Sequence, residues 1–263
     1  MKKLLLLLFL LIGIPVIILG YFGFITPISS ILGTDKPRDL GIKYTQEDLK
    51  SIRTKNQVKY EVLPETQSPS QTRSFSGQKQ VNSDYTSREI TATMNNQPWK
   101  YWPYKDVQVK FNADGSGEIS GILVKEKVPG YASVIGIPSE ATNFAIKFLP
   151  PDPVFYVKLK GSLVENKVSE FEPQAFEIGR IPMPLNVFLS LGGKNLVKTA
   201  FAQNIGEMTN ELSKVKNKKA LIIDFINTKV SSDFGSFYAK KAYFGENKVF
   251  FEGTLPEKIS YTP

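Results

Sequence analysis

Tyr85-Thr86-Ser87-Arg88-Glu89-Ile90-Thr91-Ala92-Thr93-Met94-Asn95 and, twelve residues on, Val107-Gln108-Val109-Lys110-Phe111-Asn112-Ala113-Asp114-Gly115-Ser116-Gly117 decide the fold class. Thr86 and Glu89 have the spacing of a capping box, in which each side chain reaches the other residue's backbone amide. A helix therefore opens at Thr86 and runs to about Asn95, with Ile90 and Met94 facing inward. The pattern then changes period. Val107, Val109 and Phe111 share one face of an extended run, a Gly-containing turn follows, and Ile119 and Leu123 continue the alternation. That is a β-hairpin. A capped helix next to an antiparallel hairpin points to an α+β fold.

Downstream, Ser139 and Glu140 open a helix over 139–149, which Pro150-Pro151 closes. Phe155, Val157 and Leu159 alternate with Tyr156, Lys158 and Lys160, predicting a half-buried strand with a cationic outer face. A turn at Glu165-Asn166 leads into a return strand through Phe176 and Ile178. Val197, Phe201, Ile205, Met208, Leu212 and Val215 step at helical spacing, predicting an amphipathic helix over 194–216, roughly 35 Å long. Gly192-Gly193 separates it from a shorter helix over 185–191. Leu221, Ile223 and Phe225 alternate as in a strand, and Gly245-Glu246-Asn247 turns a closing hairpin.

Upstream lies a different kind of sequence. Leu4 through Ile25 are 22 residues without a charge, and about 20 suffice to span a bilayer. Tyr21, Phe22 and Phe24 stand where an aromatic belt would lie, and Lys2 and Lys3 favour a cytoplasmic N-terminus. Lys36, Arg38 and Lys43 on the far side argue the other way, but a long domain translocates largely regardless of charge. A cleaved signal peptide is the rival reading. Its apolar core is shorter and ends at a small-residue site that this sequence lacks. The chain thus divides into a transmembrane anchor over 1–27, a juxtamembrane segment with a short helix over 28–60, a flexible linker over 61–84, and an extracytoplasmic α+β domain over 85–263. The linker reading rests on the polar run from Glu65 to Thr72, which has nothing to bury.

Composition removes several chemistries. The chain has no cysteine and no histidine, so thiol chemistry, Ser-His-Asp triads and the commonest zinc ligand are absent. Its net charge of +8 suits anionic lipid headgroups or acidic polymers, and equally an ordinary soluble surface. No nucleic-acid motif accompanies that charge.

The order of elements, with Thr86-Ser87-Arg88-Glu89-Ile90, Val107-Gln108-Val109-Lys110-Phe111, Asp114-Gly115, Gly179-Arg180-Ile181-Pro182-Met183-Pro184 and Val249-Phe250-Phe251-Glu252-Gly253, resembles anchored extracytoplasmic proteins of the YpmS type. More distantly it is similar to LmeA-type phospholipid-binding proteins. The likeness covers roughly residues 85–256 and the anchor. The sequence departs from the pattern in its aromatic segment before the first strand and in a helical insertion around 130–150. The resemblance implies a curved antiparallel sheet wrapped around a long helix, holding a lipid chain between the two without chemistry.

On that reading the groove is lined by Phe155, Val157, Leu159, Phe176 and Ile178 from the sheet and by Val197, Phe201, Ile205, Met208 and Leu212 from the helix. A solid core has the same sequence pattern. Trp99, Tyr101 and Trp102, interleaved with Lys100 and Pro103, suit a groove rim or membrane interface; their other reading is rings capping the core. Asp106, Asp114, Glu118, Asp152 and Glu165 keep carboxylate hydrolysis formally open. Asn112 to Gly117 lacks the spacing of a calcium loop, so no metal or cofactor is expected. The expectation is a non-catalytic lipid- or amphiphile-binding module at the outer face of the plasma membrane. The alternative is an envelope assembly protein that binds a protein partner.

Overall fold

The computed structural model describes residues 12–65, 68–137, 139–182, 220, 223–224, 226–227 and 236–263. In chain order the elements are α1 (Ile14–Tyr21), α2 (Thr26–Leu32), α3 (Gln46–Asn56), β1 (Lys59–Val62), β2 (Arg73–Ser76), β3 (Lys79–Thr86) and α4 (Ser87–Asn95). Then follow β4 (Tyr104–Phe111), β5 (Ser116–Leu123), α5 (Val128–Val134), α6 (Ser139–Lys147), β6 (Val154–Val164), β7 (Lys167–Ile178) and β8 (Ile181–Pro182). The chain closes with β9 (Tyr238–Gly245), β10 (Lys248–Leu255) and β11 (Lys258–Tyr261). The expected helices over 185–191 and 194–216 lie outside the described residues, as do Met183 and Pro184.

The fold is α+β, built on a strongly curled antiparallel sheet of order β3-β10-β9-β6-β5-β4, with β7 on the other edge of β6. The curl has a visible cause. One edge of β6 is shared: residues 154–160 pair with β5, and Ser162 to Val164 pair with β9. Two groups of strands thus diverge from one long strand. Helix α4 sits between the sheet's two ends. Thr86 caps it, with Glu89 N donating to Thr86 Oγ1 and Thr86 N donating to Glu89 Oε2. Ser87, Thr91 and Asn95, one turn apart on one stripe of α4, then satisfy the free edge of β4. Phe111 N donates to Ser87 Oγ at 3.0 Å, Val109 N to Thr91 Oγ1 at 2.9 Å, and Val107 N to Asn95 Oδ1 at 2.9 Å. The helix therefore serves β4 as a neighbouring strand would, which removes an exposed sheet edge.

The positions flanking that stripe supply the core. Ile90 joins one cluster of Leu49, Ile52, Val81, Tyr85, Ala92, Ala239 and Phe251, and a second of Val107, Val109 and Phe111, which Met94 also touches. Helix α3, whose Thr45 N donates to Asp48 Oδ2 at 2.7 Å, lays Leu49 and Ile52 onto the first cluster.

Two sequence expectations are corrected, and a third, the anchor as one straight helix, is met only by a bent pair. Residues 61–84 are not a flexible linker: they carry the end of β1, all of β2 and most of β3. Strands β1 and β2 flank β11 in a small sheet of order β1-β11-β2, so their backbone bonds go to the far end of the chain. Positions 220, 223–224 and 226–227 are helical where alternation predicted a strand; a short apolar run does not distinguish the two. Finally, among the described residues no single helix is long and apolar enough to cross a membrane, but α1 and α2 pass together, bent by 76°. The bend is packed shut. A side chain at Gly20 would place its Cβ 2.2 Å from Ile28 Cγ2, and Ser29 Oγ donates to Gly20 O at 2.6 Å.

Candidate functional site

The five sheet residues expected to line a groove are brought together. Phe155 pairs across strands with Ile178, and Val157 with Phe176. Leu159 lies beyond a bulge on the same strand, opposite Pro173. Val157 is also in register with Ile119, which is in register with Val109, so this row belongs to the face that carries α4. Phe155 touches the second core cluster. None of the five is fully buried by the described chain. Their partners Val197, Phe201, Ile205, Met208 and Leu212 lie outside the described residues.

The opposite face of the same strands is occupied. Gln108, Ser120, Tyr156 and Glu177 stand in one register row across β4, β5, β6 and β7. The segment after α2 runs along that row, from strand to strand. Leu40 N and Ile42 N both donate to Gln108 Oε1, and Arg38 N donates to Ser120 Oγ at 2.8 Å. The Arg38 guanidinium lies 4.3 Å from the Tyr156 ring centroid and donates to Glu177 Oε1 at 2.5 Å. The connector is thus a strap across four strands. Sequence reading missed it, because polar outer positions on separate strands show no common partner until register is known. Arg180 continues the attachment, donating to the carbonyls of Thr34 and Lys36.

The strap delivers the α1–α2 pair to one end of the apolar row. Gly179, directly after Ile178, lies so near the bend between α1 and α2 that an added Cβ would be 2.8 Å from Phe22 O. Gly179 N donates to Val154 O at 2.7 Å, which ties this contact to the first turn of β6. The pair Phe155 and Ile178 is therefore the end of the row nearest the α1–α2 bend, and Val164 marks the far end of β6, about 30 Å away along the strand.

The aromatic segment caps the core. Trp99 is 2% exposed and its indole donates to Thr72 Oγ1 at 3.0 Å; Trp102 donates to Met94 O at 2.8 Å. Tyr131 of α5 touches the rings of Trp99, Trp102 and Tyr104. Burial first, and then Tyr131, pushes the Tyr104 phenol far above its ordinary range. Trp99 is therefore not a rim residue. Tyr101 and Trp102 are half-buried beside it.

Four of the five candidate carboxylates are held by partners, and Asp106 is exposed. Glu118 accepts from Tyr156 Oη at 2.7 Å and from Asn112, with Lys158 Nζ 3.7 Å away. Burial alone would raise its pKa, but these donors outweigh burial and hold it below the ordinary value. Asp114 accepts from Ser116, Asp152 from Lys105 and Lys125, and Glu165 from Tyr238. A general acid needs the opposite shift, toward neutrality. Among the described residues no cluster of acids could hold a metal ion. Comparison of the chain with protein-family models, with curated proteins and with solved structures found no match.

Proposed function

We propose that this chain is a membrane-anchored, extracytoplasmic module that binds a lipid or similar amphiphile without transforming it. The carrying observation is the placement of the apolar row. Phe155, Val157, Leu159, Phe176 and Ile178 form a half-covered face that begins beside the anchor's bend. An acyl chain leaving the bilayer there could enter the row with little exposure to water, and each methylene kept from water is worth about 0.8 kcal/mol.

The test uses the full chain, extracted gently and examined by native mass spectrometry, with uptake of a fluorescent phospholipid read in parallel. A co-purifying lipid, and uptake lost on Val157→Asp and on Val157→Trp, support the reading. The tryptophan variant fills the row without burying a charge, so loss in both separates occupancy from unfolding. Far-ultraviolet circular dichroism and a thermal melt monitor the fold of both variants. No bound lipid and no uptake by the natural chain overturn it.

A second reading is favoured by one feature. Tyr243 and Phe250 pair at 5.2 Å, and Tyr243, Tyr238 and Val164 are exposed toward the distal end of β6. Such a strip suits a protein partner. If lipid uptake fails while Tyr243→Ser abolishes a crosslink to another envelope protein, the assembly reading holds instead.

A further inference from the structure

Helix α2 turns Ile31 and Leu32 outward. Ser29 is buried against the protein, and Thr26, itself exposed, lines the same crevice as Pro151, Asp152 and Val154. Ser29 is 1% exposed, whereas Ile31, on the opposite side of the helix, is 84% exposed and Leu32 is also exposed. A surface helix in water turns its apolar stripe inward. Here Ser29 and Ile28 pack inward, while Ile31 and Leu32 point out beside the exposed Thr26 and Ser30, a mixed outer face that suits a membrane interface. A second exposed ring lies close by. Phe148, 64% exposed, follows α6 and stands two residues before Pro150, whose side chain abuts Gly23 in the bend. Lys147 and Lys36 are exposed beside these two features. Tyr21 and Phe24 are exposed on the anchor itself.

We propose that α2 and the Phe148 tip form a foot resting in the headgroup region of the bilayer that holds the anchor, on an anionic phospholipid surface. Charge complementarity selects that occupant: Lys36 and Lys147 meet lipid phosphates while Ile31, Leu32 and Phe148 enter the acyl boundary, about 5–10 Å deep. The bend of 76° then has a purpose. It turns the chain from the membrane normal toward the membrane plane, so that α2 lies flat. This inference rests on the anchoring reading.

The absence of cysteine makes the test clean, since a single introduced cysteine carries the only label. Full-length Ile17→Cys, Ile31→Cys, Phe148→Cys and Val164→Cys are labelled with an environment-sensitive dye and reconstituted into phosphatidylcholine–phosphatidylglycerol vesicles. Nitroxide lipids quench either near the headgroup or near the chain end. The foot requires quenching at 31 and 148 by the shallow nitroxide, quenching at 17 by the deep one, and none at 164. Quenching at 17 alone overturns the foot and leaves the anchor standing. Quenching at 31 and 148 mainly by the deep nitroxide places them inside a span and also overturns the foot. No quenching at 17, 31 or 148 overturns foot and anchor together.

Discussion

Gln108 Oε1 accepts the backbone amides of both Leu40 and Ile42, at 2.9 and 3.1 Å. One side chain thus fixes two amides of a segment 66 or more residues earlier in the chain. Gln108→Ala removes both bonds from a partly buried site. Each is worth about 1 kcal/mol, so hydrogen exchange at Leu40 and Ile42 should accelerate about fivefold if each amide opens alone and about thirtyfold if the two open together. Exchange in β4 itself should change little. Unchanged protection at those two amides would show that the strap is held elsewhere.

The stripe on α4 makes a sharper demand. Thr91 Oγ1 accepts from Val109 N and lies 3.3 Å from Val109 O in a fully buried position. Thr91→Val keeps the shape and strands both backbone groups. It should cost about 2–4 kcal/mol in urea unfolding, whereas Thr93→Val, whose hydroxyl bonds within its own helix, should cost under about 1 kcal/mol. Equal losses would dismiss the edge-capping role.

Glu89 accepts from Ser51 Oγ, Lys55 Nζ and Thr86 N. Burial works to raise its pKa, but these donors prevail and hold it below the ordinary value. A depressed folded-state pKa contributes stability above the unfolded pKa and loses it as pH falls through the folded one. Stability should therefore decline below about pH 4.5. Glu89→Gln should cost about 1–3 kcal/mol at neutral pH and flatten that acid slope. The comparison of both proteins' denaturant midpoints across pH decides it.

Gly253 sits at the bulge between β9 and β10, and an added Cβ there would lie 1.9 Å from Tyr238 O. No side-chain rotation relieves a clash with a carbonyl. Gly253→Ala should cost about 2–4 kcal/mol and lower the melting temperature, while Gly245→Ala, with open space around it, should cost about 1 kcal/mol or less. A melt in which both behave alike would contradict the packing.

What the sequence made legible was local. The Thr86–Glu89 box, the Asn112–Gly117 turn and the alternation of Phe155, Val157 and Leu159 each announce themselves within a few residues, and the structure has an element at each. Strands β1 and β2 did not announce themselves, because their stabilising partner is β11; Glu61 and Ser260 are 199 residues apart. Polar composition around Ser68 says nothing about such pairing. Trp99 was ambiguous for a related reason. An indole that caps a core and one that lines a rim have the same neighbours in sequence, and only the bond to Thr72 separates them. The apolar row could be read residue by residue, but its position beside Phe22 depends on the strap.

A domain on a loose leash sweeps a hemisphere and meets its target by tumbling in three dimensions. The crossing of Arg38, Leu40 and Ile42 over four strands removes that freedom for an anchored chain. With the chain anchored as proposed, its orientation toward the leaflet becomes a built-in constant, and encounters with anything in that leaflet reduce to diffusion within a plane.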